Sequence, residues 1–304
     1  MEFNLAFLFE KKLSDALQIF SYQFKSLFRY LNYREGEKRA LTPPENYSTA
    51  FEDKFDTDLN ESEWRYAMPW GTFHPNSLHQ YYDTNGDLSY VNEDGLNLLL
   101  RKSPKEFVKA ELEEWQQAPH LPERFTIDVG VGHISSRRSW KYGWFEAWVK
   151  IPRGQHYWPA FWTCGVDSWP PEIDIFEAYS DKSPLYGGGF LNLPNRNLRP
   201  NLHYGSVEEG TKDDYGSYNN QVANLTDRFV QYVCHWEEDF IKIYYDGSPV
   251  FICTEKNILK WFNEGGNHFV ILNHGLHGDY PENPDESSML VRSFRVLQKN
   301  SSET

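Results

Sequence analysis

Three carboxylates stand within six residues of one segment whose pattern predicts a β-strand. The segment reads Trp169-Pro-Pro-Glu172-Ile-Asp174-Ile-Phe-Glu177. Because side chains in a strand alternate between two faces, Glu172 and Asp174 share one face, and the two isoleucines point to the opposite face. One extra residue, a β-bulge, would return Glu177 to the face of the other acids. Three acids on one face repel each other. Because this repulsion lowers stability, a chemical function explains the cluster better than a structural role does.

Paired carboxylates are the apparatus of a retaining glycosidase, in which one is the nucleophile and the other the acid/base. A third carboxylate between them would raise the proton affinity of its neighbours and help to keep the acid protonated. Two plainer interpretations are an acidic strand edge in solvent and a calcium site. Calcium usually takes oxygen ligands from loops, and an alternating apolar strand does not provide such a loop.

The pattern Glu-x-Asp-x-x-Glu resembles the active-site strand of glycoside hydrolase family 16 in its bulged form. Other segments resemble strands and turns of that family, in the family's order, over about residues 47–298. They are Phe51–Phe55, Tyr142–Pro152, Trp158–Trp162, His203–Gly205, Tyr245–Pro249, Leu272–His274 and Leu290–Val296. The resemblance implies that Glu172 is the nucleophile, Asp174 its assistant and Glu177 the acid/base.

Candidate substrate-binding residues surround these acids. Trp169 precedes Glu172 by three residues and is expected to stack on a sugar, or else to wedge the Pro170-Pro171 turn. Trp158 and Trp162 share a strand face that the resemblance places beside the cleft, although one of them could belong to the core. His203 is expected to donate a hydrogen bond to substrate or to the acids, the alternative being an ordinary strand histidine.

Two adjacent arginines offer a further candidate contact with substrate hydroxyls or acidic substituents. Adjacent strand residues face opposite ways, so at most one of Arg137 and Arg138 reaches the cleft, and we take Arg138 as the candidate. Many family members hold a structural calcium between an acid of the first strand and one of the last. This chain has Lys54 and Arg292 there, so we expect no metal and no cofactor.

From about residue 47 the chain consists of short alternating segments divided by Gly, Pro, Asn and Asp. Such punctuation predicts an all-β sandwich of the jelly-roll kind, and the resemblance implies two curved antiparallel sheets with a concave substrate cleft. We therefore place the catalytic domain at residues 44–300. Residues 1–43 are predicted to form an N-terminal amphipathic helical extension and linker.

The helical extension carries an apolar stripe with helical spacing. Its members are Leu13, Leu17, Phe20, Phe24, Leu27 and Leu31. Residues 3–33 could pack on the sandwich, bind a protein partner or a second copy, or lie on a membrane surface. The leader Met1-Glu-Phe-Asn lacks basic residues, so no signal peptide is visible, whereas the resemblance implies an extracellular or cell-surface protein.

Composition narrows the class of partner. A net charge of −14 argues against nucleic acid and mildly favours a neutral glycan. The sequence contains no run of 18 or more apolar residues, so we predict no transmembrane segment. Its three cysteines are an odd number and cannot form a complete disulfide framework. Aromatic residues make up 17% of the chain, more than a core of this size needs, so some should line a cleft.

The sequence thus predicts an endo-acting retaining glycoside hydrolase that cleaves a β-linked polysaccharide, either a β-1,3-glucan or a β-galactan. Mixed-linkage glucan ranks lower, because dedicated enzymes for it usually have the unbulged motif. A transglycosylase that uses the same site is one alternative. A non-catalytic carbohydrate-binding sandwich is another, although such a protein would be expected to have lost an acid.

Overall fold

The described part of the chain folds into two β-sheets that pack face to face. A computed structural model describes residues 40–74, 77–152, 154, 156–179, 197–216, 228–277 and 284–300. Seventeen strands, β1–β17 along the chain, account for most of these residues. The predicted all-β sandwich is therefore confirmed.

The larger sheet has ten strands. They are β1 (Tyr47–Asp53), β3 (Tyr81–Tyr82), β4 (Ser89–Asn92), β5 (Gly95–Val108), β6 (Arg124–Val131), β8 (Gly143–Lys150), β13 (Val230–Glu237), β14 (Phe240–Tyr245), β15 (Ser248–Cys253) and β17 (Ser287–Lys299). Their order is β15-β14-β13-β8-β17-β5-β6-β3, with β1 also beside β17 and β4 also beside β5. All pairs are antiparallel except β3 with β6.

The smaller sheet has seven strands and places the acidic segment near its centre. They are β2 (Trp64–Arg65), β7 (His133–Trp140), β9 (Ala160–Gly165), β10 (Glu172–Tyr179), β11 (Asn197–Tyr204), β12 (Asp213–Gly216) and β16 (His268–Asn273). Their order is β12-β11-β10-β9-β16-β7-β2. Because β10 is hydrogen-bonded on both sides, a rigid backbone supports its side chains.

Alternating side chains of both sheets fill the space between them. In β8, Phe145, Ala147 and Val149 point inward and are at most 1% exposed, as their alternation predicts. Phe161 of the smaller sheet meets Phe294 of the larger sheet with ring centroids 6.0 Å apart. A slip of one residue would turn such a face to solvent, so the core fixes which residues of the smaller sheet point outward.

Helical structure is sparse in the described residues. Helix α1 (Lys256–Glu264) packs Ile258, Leu259 and Phe262 onto the sandwich, as an amphipathic helix does. Two short 3₁₀ turns, Lys109–Glu111 and Glu114–Gln116, follow β5. Within the residues that the structure describes, no helix has the length and hydropathy needed to cross a membrane.

The predicted amphipathic helix of residues 3–33 lies outside the described residues. Leu41, which the sequence assigns to the linker, is already bound to the sandwich. Its N–H donates to Oε1 of Gln231 at 2.7 Å, and its carbonyl accepts from Nε2 of Gln231 at 2.9 Å. The domain boundary at residue 44 stays a prediction, and Leu41, three residues before it, already contacts the sandwich.

Lys54 and Arg292, at the positions where family resemblance suggests calcium ligands, line one cavity of about 440 Å³. Arg292 places its guanidinium carbon 3.9 Å from the ring centroid of Phe229. The cavity is also lined by Asp56, Asp58, Glu93 and Asp94. Two fixed positive charges among these acids compete with a calcium ion for the same carboxylates.

We therefore expect EDTA to leave the thermal unfolding temperature almost unchanged. The measurement is Tm by differential scanning calorimetry in EDTA and in excess calcium, with a Lys54→Glu variant as the comparison. Restoring an acid should make Tm respond to calcium. A large drop of the wild-type Tm in EDTA that calcium reverses would contradict this account.

Candidate active site

Strand β10 presents its acids on one face and its apolar residues on the other. Ile173 and Ile175 are fully buried in the core between the sheets, as alternation predicts. Glu172, Asp174 and Glu177 point the other way and line a cavity of about 580 Å³. They are 9%, 2% and 9% exposed, so all three carboxylates are close to fully buried.

A break in strand register between Asp174 and Glu177 brings the third acid to this face. On β11, Asp174 is opposite Asn201 and Glu177 is opposite Arg199, so two residues of β10 face the single residue between them. The pairing with β9 shifts in the same place. Ile175 and Phe176 both point into the core, which consecutive strand residues can do only at such a bulge. The bulge predicted from the acid spacing is present.

Glu172 and Glu177 each accept a hydrogen bond from a tryptophan. Nε1 of Trp169 donates to Oε2 of Glu172 at 2.7 Å. Nε1 of Trp158 donates to Oε1 of Glu177 at 3.2 Å. Hydrogen bonds to a carboxylate stabilise its ionised form, and the bond to Glu172 is the shorter. The two acids at the ends of the motif therefore have separate donors.

His203 lies between two of the acids and a fourth carboxylate. Its Nδ1 is hydrogen-bonded to Asp214. Its Nε2 is 3.3 Å from Oε1 of Glu172 and 3.3 Å from Oδ2 of Asp174. Because Asp214 orients the ring through Nδ1, Nε2 is the atom that faces Glu172 and Asp174. Nδ2 of Asn201 also lies 3.1 Å from Nε2.

The acids strongly affect one another's protonation. Burial, followed by the charge of Asp174, raises the pKa of Glu172 well above its usual range, although His203 and Trp169 act against the shift. Burial, followed by the charge of Glu177, raises the pKa of Asp174 well above its usual range. Three such acids do not all ionise together near neutral pH, so the cluster retains a proton.

Aromatic side chains form much of the rest of the cavity lining. They are Trp70, Tyr82, Trp115, Trp158, Trp162 and Trp169. The rings of Trp70 and Trp162 stack with centroids 5.8 Å apart and planes 16° apart. The ring of Trp169 is 46% exposed. Apolar faces beside a few convergent polar groups suit a sugar, whose ring has apolar C–H faces and polar edges.

Glu172, Asp174 and His203 also form a geometric candidate for a metal site. Each residue offers one ligand atom, and these atoms lie within 4.8 Å of one another. The same groups are already engaged by Trp169 and Asp214 through the hydrogen bonds described above. We therefore assign no metal to this cluster.

A family model for glycosyl hydrolases family 16 matches residues 78–264, which is more than half of the chain. The chain belongs to glycosyl hydrolases family 16. This membership accounts for the β-sandwich fold.

Curated relatives of this family-16 chain include two glucan hydrolases. It is 24% identical over 255 residues to a glucan endo-1,3-beta-glucosidase of Cryptopygus antarcticus, covering 78% of this chain and 84% of that one. It is 26% identical over 235 residues to glucan endo-1,3-beta-glucosidase A1 of Niallia circulans, covering 70% of this chain and 30% of that one. The chain thus spans most of the first relative and less than a third of the second.

Solved structures show the same fold at lower identity. The crystal structure of LamAcat from Zobellia galactanivorans has a TM-score of 0.62 at 20% identity, covering 83% of this chain and 98% of that chain. A structure from work on endo-acting O-glycanases of the human gut microbiota has a TM-score of 0.66 at 19% identity, with 86% and 94% covered.

Four of the five substrate-binding residues predicted from sequence line the cleft of this family-16 chain. Trp169, Trp158, Trp162 and His203 do so, and their contact with substrate stays a prediction. Trp162 is 6% exposed and donates to Oδ1 of Asn273 at 2.8 Å, so it forms part of the cleft floor.

Arg138 does not lie in the cleft. Its Nε and one terminal nitrogen bind both oxygens of Glu63, at 2.6 Å and 2.5 Å. Its guanidinium carbon lies 5.5 Å from the ring centroid of Phe51, a residue of the core between the sheets. Alternation predicts that at most one of Arg137 and Arg138 reaches the cleft, and we take Arg138 as the candidate. The side chain of Arg138 instead points away from the cleft. We do not include Arg138 in the proposed site.

Sequence reasoning missed several residues that the structure brings to the cleft. Asn201, Asp214 and Asn273 line it. Strand register places Asn201 opposite Asp174, Asp214 opposite His203 and Asn273 opposite Ala160 of β9. Trp70 and Trp115 arrive on connections before β3 and after β5. The high content of aromatic residues predicts that some tryptophans line the cleft. It does not identify Trp70 and Trp115 among them.

The raised pKa of Asp174 predicts that Asp174→Asn stabilises the fold at neutral pH. A carboxyl with a raised folded-state pKa contributes stability below its unfolded pKa of about 4, and this is lost as pH rises through the folded pKa. Asparagine does not titrate, so the variant's Tm should exceed the wild-type Tm at pH 7, by roughly 2–4 °C per kcal/mol.

The gap in Tm should close as the pH falls below the unfolded pKa of about 4, because wild-type Asp174 is then protonated in both states. Calorimetry at several pH values measures it, with the exposed acid variant Glu52→Gln as a control that should show no such gap. A variant less stable than the wild type at pH 7 would show that the Asp174 carboxylate stabilises the fold instead of straining it.

Proposed function

We propose that this chain is an endo-acting retaining β-glycosidase that hydrolyses β-1,3-glucan. The observation that carries the proposal is the bulge in β10, which turns Glu177 to the face of Glu172 and Asp174 within one buried cleft. The curated relatives named as glucan endo-1,3-beta-glucosidases support the linkage and the endo mode of cleavage.

Glu172 is the proposed nucleophile. Trp169 donates to it at 2.7 Å, and Nε2 of His203 lies 3.3 Å away, so both groups favour its ionised form. The Glu172 carboxylate attacks the anomeric carbon and forms an ester bond as the bond to the glycosidic oxygen breaks. Its position also matches the nucleophile in the family resemblance.

Glu177 is the proposed acid/base. As the glycosidic bond breaks, its carboxyl gives a proton to the departing oxygen, so the leaving sugar departs as an alcohol. Its carboxylate then takes a proton from a water molecule, whose oxygen attacks the anomeric carbon and releases Glu172. Trp158 donates to Glu177 at 3.2 Å and orients the carboxyl toward the cleft.

Asp174 is proposed to adjust the protonation of Glu172 and Glu177 during the reaction. It lies between them on the same face, 2% exposed, and 3.3 Å from Nε2 of His203. Before attack its proximity disfavours ionisation of its neighbours, which keeps a proton available for Glu177. Once Glu172 becomes an ester and loses its charge, Asp174 can ionise at a lower electrostatic cost.

A β-1,3-glucan is the substrate that the molecule favours. The chain has a net charge of −14, which disfavours anionic polymers. The stacked and exposed indoles in the cleft provide apolar faces for neutral sugar rings. We propose β-1,3-glucan ahead of the β-galactan alternative because both named relatives act on glucan.

Glu172→Gln and Glu177→Gln should each lower kcat on laminarin by about three orders of magnitude or more, since each removes one half of a two-carboxylate mechanism. The assay is the release of reducing ends, with circular dichroism to confirm the fold. Glu52→Gln, an acid variant on the larger sheet, should retain full activity. Near-normal turnover by Glu172→Gln would refute the assignment.

A panel of agarose, porphyran, carrageenan and mixed-linkage glucan, assayed in parallel, tests the substrate. Laminarin should be cleaved fastest, with a series of oligosaccharides as early products. Preferred cleavage of a galactan would overturn the choice of substrate and leave the chemistry intact. Products longer than the starting oligosaccharide would indicate transglycosylation.

A further inference from the structure

A hydroxyl from the larger sheet crosses the core and binds the bulge behind the acids. Oη of Tyr245, in β14, donates a hydrogen bond to the carbonyl oxygen of Ile175 at 2.8 Å. Both residues are 0% exposed. Ile175 is one of the two residues that face a single residue of β11, so this bond is made at the point where the strand ladder is disrupted.

The other bulge residue, Phe176, is held by β13, the neighbour of β14 in the larger sheet. The ring of Phe176 packs against Tyr232 of β13 with centroids 4.4 Å apart. Tyr232 in turn packs against Tyr245 with centroids 5.1 Å apart. Neighbouring strands of the larger sheet therefore hold both bulge residues from behind, one through a hydrogen bond and the other through ring packing.

The position of the bulge decides where Glu177 lies relative to Glu172. Glu172 and Asp174 precede the bulge and remain in register with Cys164 and Trp162 of β9. Glu177 follows it, so a looser bulge would displace Glu177 while Glu172 stays in place. A buried carbonyl without its donor carries a desolvation cost, and the bulge would relax to reduce that cost.

We propose that Tyr245 is a positioning residue that sets the acid/base Glu177 through the Ile175 carbonyl. The inference rests on the proposed function, because it assigns Glu177 the proton transfer to the leaving group. The side chain of Tyr245 reaches the smaller sheet from its core side, whereas the side chain of Glu177 lies on its cleft side. Tyr245 therefore acts on Glu177 only through the backbone of β10. Its effect should therefore appear in the step that needs the acid.

Two substrates separate this role from a general structural one. Cleavage of laminarin needs a proton on the leaving sugar, whereas 2,4-dinitrophenyl β-laminaribioside releases a phenolate that departs without one. For the aryl glycoside, kcat/KM reports formation of the glycosyl-enzyme alone. Tyr245→Phe should lower kcat on laminarin by about 10- to 100-fold with little change in KM, because small displacements of a catalytic group have effects of that size.

The same variant should keep kcat/KM on the aryl glycoside close to the wild-type value. Ile243→Val, a truncation in the same strand that faces the same core, should keep activity on both substrates despite its lower Tm. Phe176→Leu, which removes the ring contact with Tyr232, should reproduce the selective loss on laminarin and provides a second test if Tyr245→Phe does not fold.

Equal losses on both substrates in Tyr245→Phe would overturn the proposal, since they would indicate general loosening of the site. Full activity of Tyr245→Phe on laminarin would also overturn it. Wild-type turnover of both substrates is measured in the same experiment and reports on the proposed function separately. A wild type inactive on both would refute that function and this inference together.

Discussion

The β-bulge between Asp174 and Glu177 is the constraint on which the arrangement of the site depends. Strict alternation would send Glu177 into the core, where an unpaired carboxylate is costly. The bulge instead turns Ile175 and Phe176 inward together and returns Glu177 to the cleft. Packing of Phe176 against Tyr232, with centroids 4.4 Å apart, gives the bulge apolar contacts in the core. The packing of the core and the geometry of the acids therefore have one structural origin.

The cost of that arrangement is electrostatic. Burial and mutual charge raise the pKa of both Glu172 and Asp174, so the folded state resists full ionisation of the cluster. Three neighbours limit this cost: Trp169 donates to Glu172, Trp158 donates to Glu177, and His203 lies beside Glu172 and Asp174. A cluster that retains one proton while its members differ in hydrogen bonding suits an enzyme that needs one acid and one nucleophile.

Much of the fold and the centre of the site could be predicted from local sequence. Alternation identified the inward face of β8, and the spacing of the acids predicted the bulge. Contacts between distant segments could not be predicted in this way. Asp214 reaches His203 only through the pairing of β11 with β12, and Tyr245 reaches Ile175 across the core.

Arg138 illustrates the same limit of sequence reasoning. Alternation shows that Arg137 and Arg138 face opposite ways, but it does not say which face of β7 borders the cleft. That depends on contacts with distant segments, in which the guanidinium of Arg138 meets Phe51 of β1 and Glu63, the residue before β2. Trp70 and Trp115 lie on connections, whose paths depend on the finished sandwich and not on a local periodicity.

Covalent trapping of the glycosyl-enzyme identifies the nucleophile directly. An activated 2-deoxy-2-fluoro laminaribiosyl donor forms the ester rapidly and releases it slowly, so mass spectrometry of the digested protein can identify the labelled residue. We expect one label per chain, on Glu172. A label on Asp174 or Glu177 would contradict the assignment of roles. A wild type that hydrolyses laminarin without ever carrying a label, under conditions that label another retaining glucanase, would contradict the double-displacement mechanism.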